Sequence, residues 1–117
     1  MNSESRIQQE IVMWFRNNYC LRHHSPRCCI FSVPNERGDK KELMSMVQTG
    51  LYKGVSDLIV VLPNEVLFVE VKDDKGRQSE AQKEFEATVK GLGFRYYIVR
   101  SVEQFQNIPE MLKFVKR

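Results

Sequence analysis

Apolar residues recur along this chain in two rhythms, one of three to four positions and one of two. Ile7, Ile11, Trp14 and Phe15 follow the first, which keeps one face of a helix against a core, and Ser3 or Ser5 ahead of them is a candidate cap. The helix is predicted to run to about Tyr19. Polar residues follow as far as Arg27, with Pro26 opposing helix, and Cys28 to Val33 then reads as a short strand ended by Pro34. Asn35-Glu36-Arg37-Gly38-Asp39 is turn chemistry, and Leu43, Met44, Met46 and Val47 suggest a short helix stopped by Gly50.

From Asp57 the rhythm shortens. The runs Asp57 to Leu62 and Val66 to Lys72 are rich in β-branched residues and flank Pro63-Asn64-Glu65, whose fixed φ and turn-prone amide predict a reversal and an antiparallel hairpin. Ser79-Glu80-Ala81-Gln82 has the form of a capping box opening a helix with Ala81, Phe85, Val89 and Leu92 on one face, stopped by Gly91 and Gly93. Phe94 to Val99 reads as a strand, and Ser101-Val102-Glu103-Gln104 as a second capping box for a closing helical segment that Pro109 restarts. A helix between the second hairpin strand and the last strand lets those two run parallel through a right-handed crossover. The expected fold is therefore α/β, with a mixed central sheet flanked by helices.

Composition narrows this only a little. The 117 residues suit a single core, so one domain over 1–117 is expected. With 42% hydrophobic and 28% charged residues, and no membrane-spanning apolar run or signal sequence in view, a soluble cytoplasmic protein is expected. The cysteines, Cys20, Cys28 and Cys29, are odd in number and two are adjacent, which argues against a disulfide framework. Together with His23 and His24 they fit no standard zinc spacing, because neighbours on a strand point to opposite faces. A net charge of +3 suits nucleic acid without selecting it.

Candidate chemistry sits in the hairpin. Asp57 opens its first strand, while Glu70 and Lys72 stand two apart at the end of the second and so share a face. Burying two carboxylates is costly unless they are paired, and a divalent cation between them, with the lysine alongside, offsets that cost. The pattern is that of a metal-dependent phosphodiesterase. Lys72 would stabilise charge building on the phosphorane and help orient or deprotonate the attacking water. Arg37, Lys40, Lys41, Lys53, Lys75 and Arg77 in the surrounding loops make a positive rim suited to phosphates.

Gly54-Val55-Ser56-Asp57 followed by Glu70-Val71-Lys72 resembles the PD-(D/E)XK signature of restriction-endonuclease-like nucleases. More of the chain resembles the virus-type replication-repair nuclease (VRR-NUC) domain: Glu4-Ser5-Arg6-Ile7-Gln8, Val33-Pro34-Asn35, Thr49 to Asp57, Phe68 to Lys72, and Gly76 to Gln82, in that order. Ser56 stands where that family usually has proline, a position that shapes the turn into the strand. The resemblance implies a restriction-endonuclease-like core and Mg2+ or Mn2+ held by Asp57, Glu70 and Val71. It implies Asp57, Glu70, Lys72 and Gln82 as catalytic residues, with a glutamate from the first helix, for which Glu4 is preferred over Glu10. Gln82 and Glu4 also have purely structural explanations, a capping box and a favourable helix dipole. The expected activity is DNA endonuclease cleavage leaving a 5′-phosphate, by a homodimer acting on Holliday junctions or other branched DNA. The alternative is a nucleic-acid-binding module that keeps the fold without cleaving.

Overall fold

The computed structural model describes residues 1–33 and 40–115, without the side chains of 40–43 and 114–115. The expectations placed on Pro34, on the turn from Asn35 to Asp39 with Arg37, and on the side chains of Lys40, Lys41 and Leu43 lie outside the described residues. The elements are α1 (Ser3–Tyr19), β1 (Cys29–Ser32), α2 (Lys40–Gln48), β2 (Leu58–Leu62), β3 (Glu65–Val71), α3 (Glu80–Gly91), β4 (Arg95–Val99), α4 (Val102–Gln106) and α5 (Pro109–Val115). The sheet order is β1-β2-β3-β4, antiparallel through β3 and parallel between β3 and β4. This is the mixed α/β sheet that the pattern predicts, with α3 making the crossover. No helix among the described residues is long and apolar enough to cross a membrane.

Alternation along the central strands assigns the two faces of the sheet. Leu58, Val60 and Leu62 of β2, Leu67, Val69 and Val71 of β3 and Val99 of β4 bury one face against Ile11 and Phe15 of α1 and against Phe105, Ile108 and Met111 from the C-terminal helices. The other face is smaller. There Phe85 and Val89 of α3 cover Phe68, Tyr96 and Val55, and Glu70, two residues on from Phe68, points to this same side. A wholly buried carboxylate thus lies under α3, on the less apolar of the two faces.

Several local expectations shift. The α1 cap is Asn2, whose side-chain oxygen accepts from the Ser5 nitrogen at 2.8 Å, so Ser3 and Ser5 fall inside the first turn. Ser3 is drawn instead into a tertiary hydrogen bond with Asp73. Leu62 pairs with Glu65, which makes the hairpin loop two residues, Pro63-Asn64, with Asn64 at φ 60 as a type II turn requires after proline. Gly50 stops α2 as predicted: at φ +116 it lets the Leu51 nitrogen reach the Met46 carbonyl at 2.7 Å and its own nitrogen reach that of Val47 at 3.2 Å. The same closure at the end of α3 uses Gly93, while Gly91 stays helical and Leu92, beyond the helix, is exposed. Met44 and Val47, part of the pattern that predicts α2, are exposed, while Tyr19 at the end of α1 packs against the main core.

Candidate active site

Asp57 reaches the end of β3 because the chain entering β2 is pressed against the start of α3. Gly54 sits at φ +86, and a Cβ there would run into the Ala81 carbonyl and lie 2.8 Å from the Gln82 nitrogen, so only glycine permits this approach. Beyond it Ser56 is buried, its hydroxyl donating to the Leu58 carbonyl at 3.3 Å, a bond that proline would not make. The Asp57 carboxylate then accepts from the Val71 nitrogen at 2.7 Å. This bond ties the first residue of the signature to the strand that carries the other two.

Glu70 is fully buried, and its two oxygens have unlike surroundings. Oε1 accepts from the Tyr96 hydroxyl at 2.7 Å, while Oε2 has no hydrogen bond. Lys72 Nζ stands 3.5 Å from Oε2, an ion pair too long to count as a hydrogen bond. Burial pushes the Glu70 carboxyl above its usual range, opposed by the Tyr96 hydroxyl and Lys72 and reinforced by the Asp57 charge. Burial likewise raises Asp57, against the Val71 N–H and Lys72, with Glu4 adding repulsion. Burial thus opposes the charged form of both carboxylates.

A third acidic group comes from α1. Glu4 Oε2 lies 3.4 Å from the Asp73 nitrogen, and a Cβ at Gly76 would come within 2.6 Å of that oxygen and 3.2 Å of the Lys72 side chain. Asp73 organises the turn by accepting from the nitrogens of Lys75 at 3.0 Å and Gly76 at 2.7 Å and from the Ser3 hydroxyl at 2.7 Å. Those hydrogen bonds, Ser3's foremost, hold its carboxyl below the usual range. Arg100 fastens the turn from the other side, donating to the carbonyls of Asp73 and Gly76. Of the two rival acids on α1, Glu4 faces this turn and the Asp57 charge, whereas Glu10 is exposed.

Gln82 is engaged as a cap. Its Oε1 accepts from the Ser79 nitrogen at 2.8 Å while its own nitrogen donates to Ser79 Oγ at 3.2 Å, the complete reciprocal box. The second box is only half formed: Ser101 caps α4, but the Gln104 side chain accepts from Arg100 N rather than from the cap residue. Lys53, Lys75 and Arg77 are exposed on the loops bordering the site. In the sequence, Asp73 to Gly76 marks only the end of the hairpin, Gly76 and Gln78 enter only within the Gly76-to-Gln82 resemblance, and Arg100 and Tyr96 carry no site signal. The Asp73-to-Gly76 spacing was readable as a turn that an aspartate closes on itself, but nothing local marks Tyr96 rather than Tyr97 as the partner of Glu70.

Among the described residues no three His, Cys, Asp or Glu side chains form a cluster that by itself holds a metal ion. The donors expected from the sequence, the Asp57 and Glu70 carboxylates and the Val71 backbone carbonyl, are all hard oxygens. This set fits Mg2+ or Mn2+, which keep several waters and need only one or two carboxylates from protein. Glu70 Oε2, buried, without a hydrogen bond and with Lys72 at 3.5 Å as its ion-pair partner, is the atom such a cation would satisfy. Cys20, Cys28 and Cys29 are free thiols of differing burial, and His24 Nδ1 is occupied by the Leu21 nitrogen at 2.9 Å.

The profile of the VRR-NUC domain matches residues 2–103. One solved structure, described as a VRR_NUC domain protein, superimposes with a TM-score of 0.73 at 18% identity, covering 99% of this chain and 90% of that one. Another, described as a VRR_NUC domain, gives 0.59 at 19% identity over 100% and 98% of the two chains. At such identities the likeness concerns the fold. No curated protein matches the sequence.

Proposed function

We propose that this chain, which belongs to the VRR-NUC domain family and has its nuclease-type fold, hydrolyses phosphodiester bonds in DNA with the help of bound Mg2+ or Mn2+. The observation that carries the proposal is the buried, hydrogen-bond-free Oε2 of Glu70, which shares its surroundings with Asp57 and Lys72. A purely structural carboxylate in that position would be expected to have its second oxygen satisfied by protein.

Asp57, Glu70 and the Val71 carbonyl would hold the cation. Once bound, it supplies positive charge at the scissile phosphate and makes a water more acidic. Lys72, kept beside Glu70, presents its ammonium to the phosphate oxygen that gains charge and orients the attacking water. Water oxygen forms the new bond to phosphorus as the bond to the 3′ oxygen breaks, leaving a 5′-phosphate and a 3′-hydroxyl that ends with one of the water's hydrogens. Glu4 borders the site through Asp57 and the Asp73 turn, where its charge favours cation binding. Gln82 lies at the α3 start against Gly54, and its role in cleavage is separable from its cap only by substitution. Lys53, Lys75 and Arg77 would meet the DNA backbone.

A homodimer on branched DNA is the form that suits one site per chain. Resolving a junction needs two opposed cuts, and a two-fold axis supplies the second. Exposed Tyr52, Met44 and Val47 offer apolar surface for such a contact. The test is a cleavage assay on duplex, flap, single-stranded and four-way-junction DNA with Mg2+, Mn2+ or chelator, with light scattering at the same concentrations. Metal-dependent cleavage favouring junctions, by a dimer, is expected. Cleavage that survives chelator ends the mechanism, and a monomer that cuts linear duplex equally well ends the dimer and the substrate assignment.

A further inference from the structure

Tyr96 enters the site through a chain of hydrogen bonds whose direction the chemistry fixes. Glu86, on α3, is a carboxylate with acceptors only, and its Oε2 pairs with Lys90 at 2.6 Å. Its Oε1 lies 2.9 Å from Gln78, which must therefore turn its amide nitrogen toward it. The same nitrogen lies 3.3 Å from the Tyr96 hydroxyl and donates its second hydrogen there. With its oxygen accepting a hydrogen bond from Gln78, the Tyr96 hydroxyl is left to donate its own hydrogen, and the acceptor is Glu70 Oε1 at 2.7 Å. Tyr96 is itself buried, its ring tilted against Phe85 at 6.2 Å, so the hydroxyl has little freedom to turn elsewhere.

We propose that Tyr96 is a positioning residue, and that the Glu86–Gln78–Tyr96 chain occupies Oε1 of Glu70 so that Oε2 alone is presented to the divalent cation. The assignment rests on the metal-binding role of Glu70 proposed above. Losing a hydrogen bond that orients a ligating carboxylate typically costs about 10- to 100-fold in metal affinity or activity. Tyr97, one residue away, provides an internal contrast. Its hydroxyl also donates to a buried carboxylate, Glu110, at 2.7 Å, but from the opposite face of the sheet.

The experiment is calorimetric titration of the full chain with Mn2+, with circular dichroism and melting temperature recorded for each protein. Wild type is expected to bind and Asp57→Asn to lose binding. Tyr96→Phe, which keeps the ring, is expected to raise the Mn2+ dissociation constant by roughly 10- to 100-fold. Gln78→Leu should raise it by a smaller factor, and Tyr97→Phe should leave it unchanged. Cleavage by Tyr96→Phe should recover toward wild type at saturating Mn2+, which a general loss of structure would not allow. Wild-type Mn2+ affinity in folded Tyr96→Phe and Gln78→Leu, even with lowered melting temperatures, overturns the positioning role and leaves the nuclease standing. If Tyr96→Phe does not fold, Gln78→Leu at wild-type affinity is decisive against it. Absence of Mn2+ binding in wild type instead removes the metal-dependent function and this inference with it.

Discussion

Burial raises the Glu70 and Asp57 carboxyls, so their protonation would compete with the proposed metal binding for the same oxygens, and this fixes what substitution and pH should do. Asp57→Asn keeps an oxygen for the Val71 nitrogen and removes a charge that burial opposes. Its melting temperature without metal should match or exceed wild type, while cleavage and Mn2+ binding are lost. A metal-free variant that melts well below wild type would mean the Asp57 charge is itself stabilising. The pH dependence has a definite sign. Because both folded carboxyls sit above their unfolded values, the folded chain binds more protons than the unfolded one between those values. These two groups therefore make the metal-free protein less stable as pH rises from the ordinary carboxylate range through the raised folded values. A divalent cation favours the charged forms and offsets this loss, so the metal-induced rise in melting temperature should be larger at neutral than at mildly acid pH. An equal rise at both pH values would show that these carboxyls do not take the ion.

Around those residues, the elements supply the positioning, and the start of α3 has two duties. Its capping box satisfies helix nitrogens, and its backbone is the surface on which Gly54 rests. Gln82→Ala should therefore cost roughly 0.3–1.5 kcal/mol through the loss of its half of the capping box. Gln82→Glu keeps an oxygen for the Ser79 nitrogen and should retain that stability. Cleavage lost in the alanine variant but kept in the glutamate variant would assign Gln82 to the cap, whereas loss in both, at wild-type stability for the second, would assign it to the reaction. The cap was visible in the sequence from Ser79 and Gln82, whereas the contact with Gly54 was not. The fastening of the turn after β3 was not legible in the same way, because Arg100 and Ser3, which supply it, come from β4's end and α1.

At the scale of the whole molecule, the sheet separates stability from chemistry. The α1 and C-terminal helix side holds the larger apolar cluster, where Phe15 and Phe105 meet edge to face at 6.1 Å. Phe105→Ala should cost about 3–5 kcal/mol in unfolding free energy, read from denaturant titration, and leave Mn2+ affinity unchanged in the folded fraction. A selective loss of metal affinity would show that the two faces are coupled. The element order, the antiparallel hairpin, the parallel return after α3 and the stops at Gly50 and Gly93 follow from local rules of period, capping and permitted φ, which act within a few residues and so are written in the sequence. The same holds for Glu70 and Lys72 sharing a face, because side chains on a strand alternate. What only the tertiary structure decided are relations between residues far apart in the chain: the Asp73 turn as the neighbour of Glu4, Ser3 bonded to Asp73 rather than capping, and Tyr96 rather than Tyr97 on Glu70. The last depends on the β3–β4 register, in which Phe68 pairs with Tyr96 and Val69 with Tyr97. A slip of one residue would exchange the two tyrosines between faces, and register is set by the packing of both faces together rather than by either strand alone.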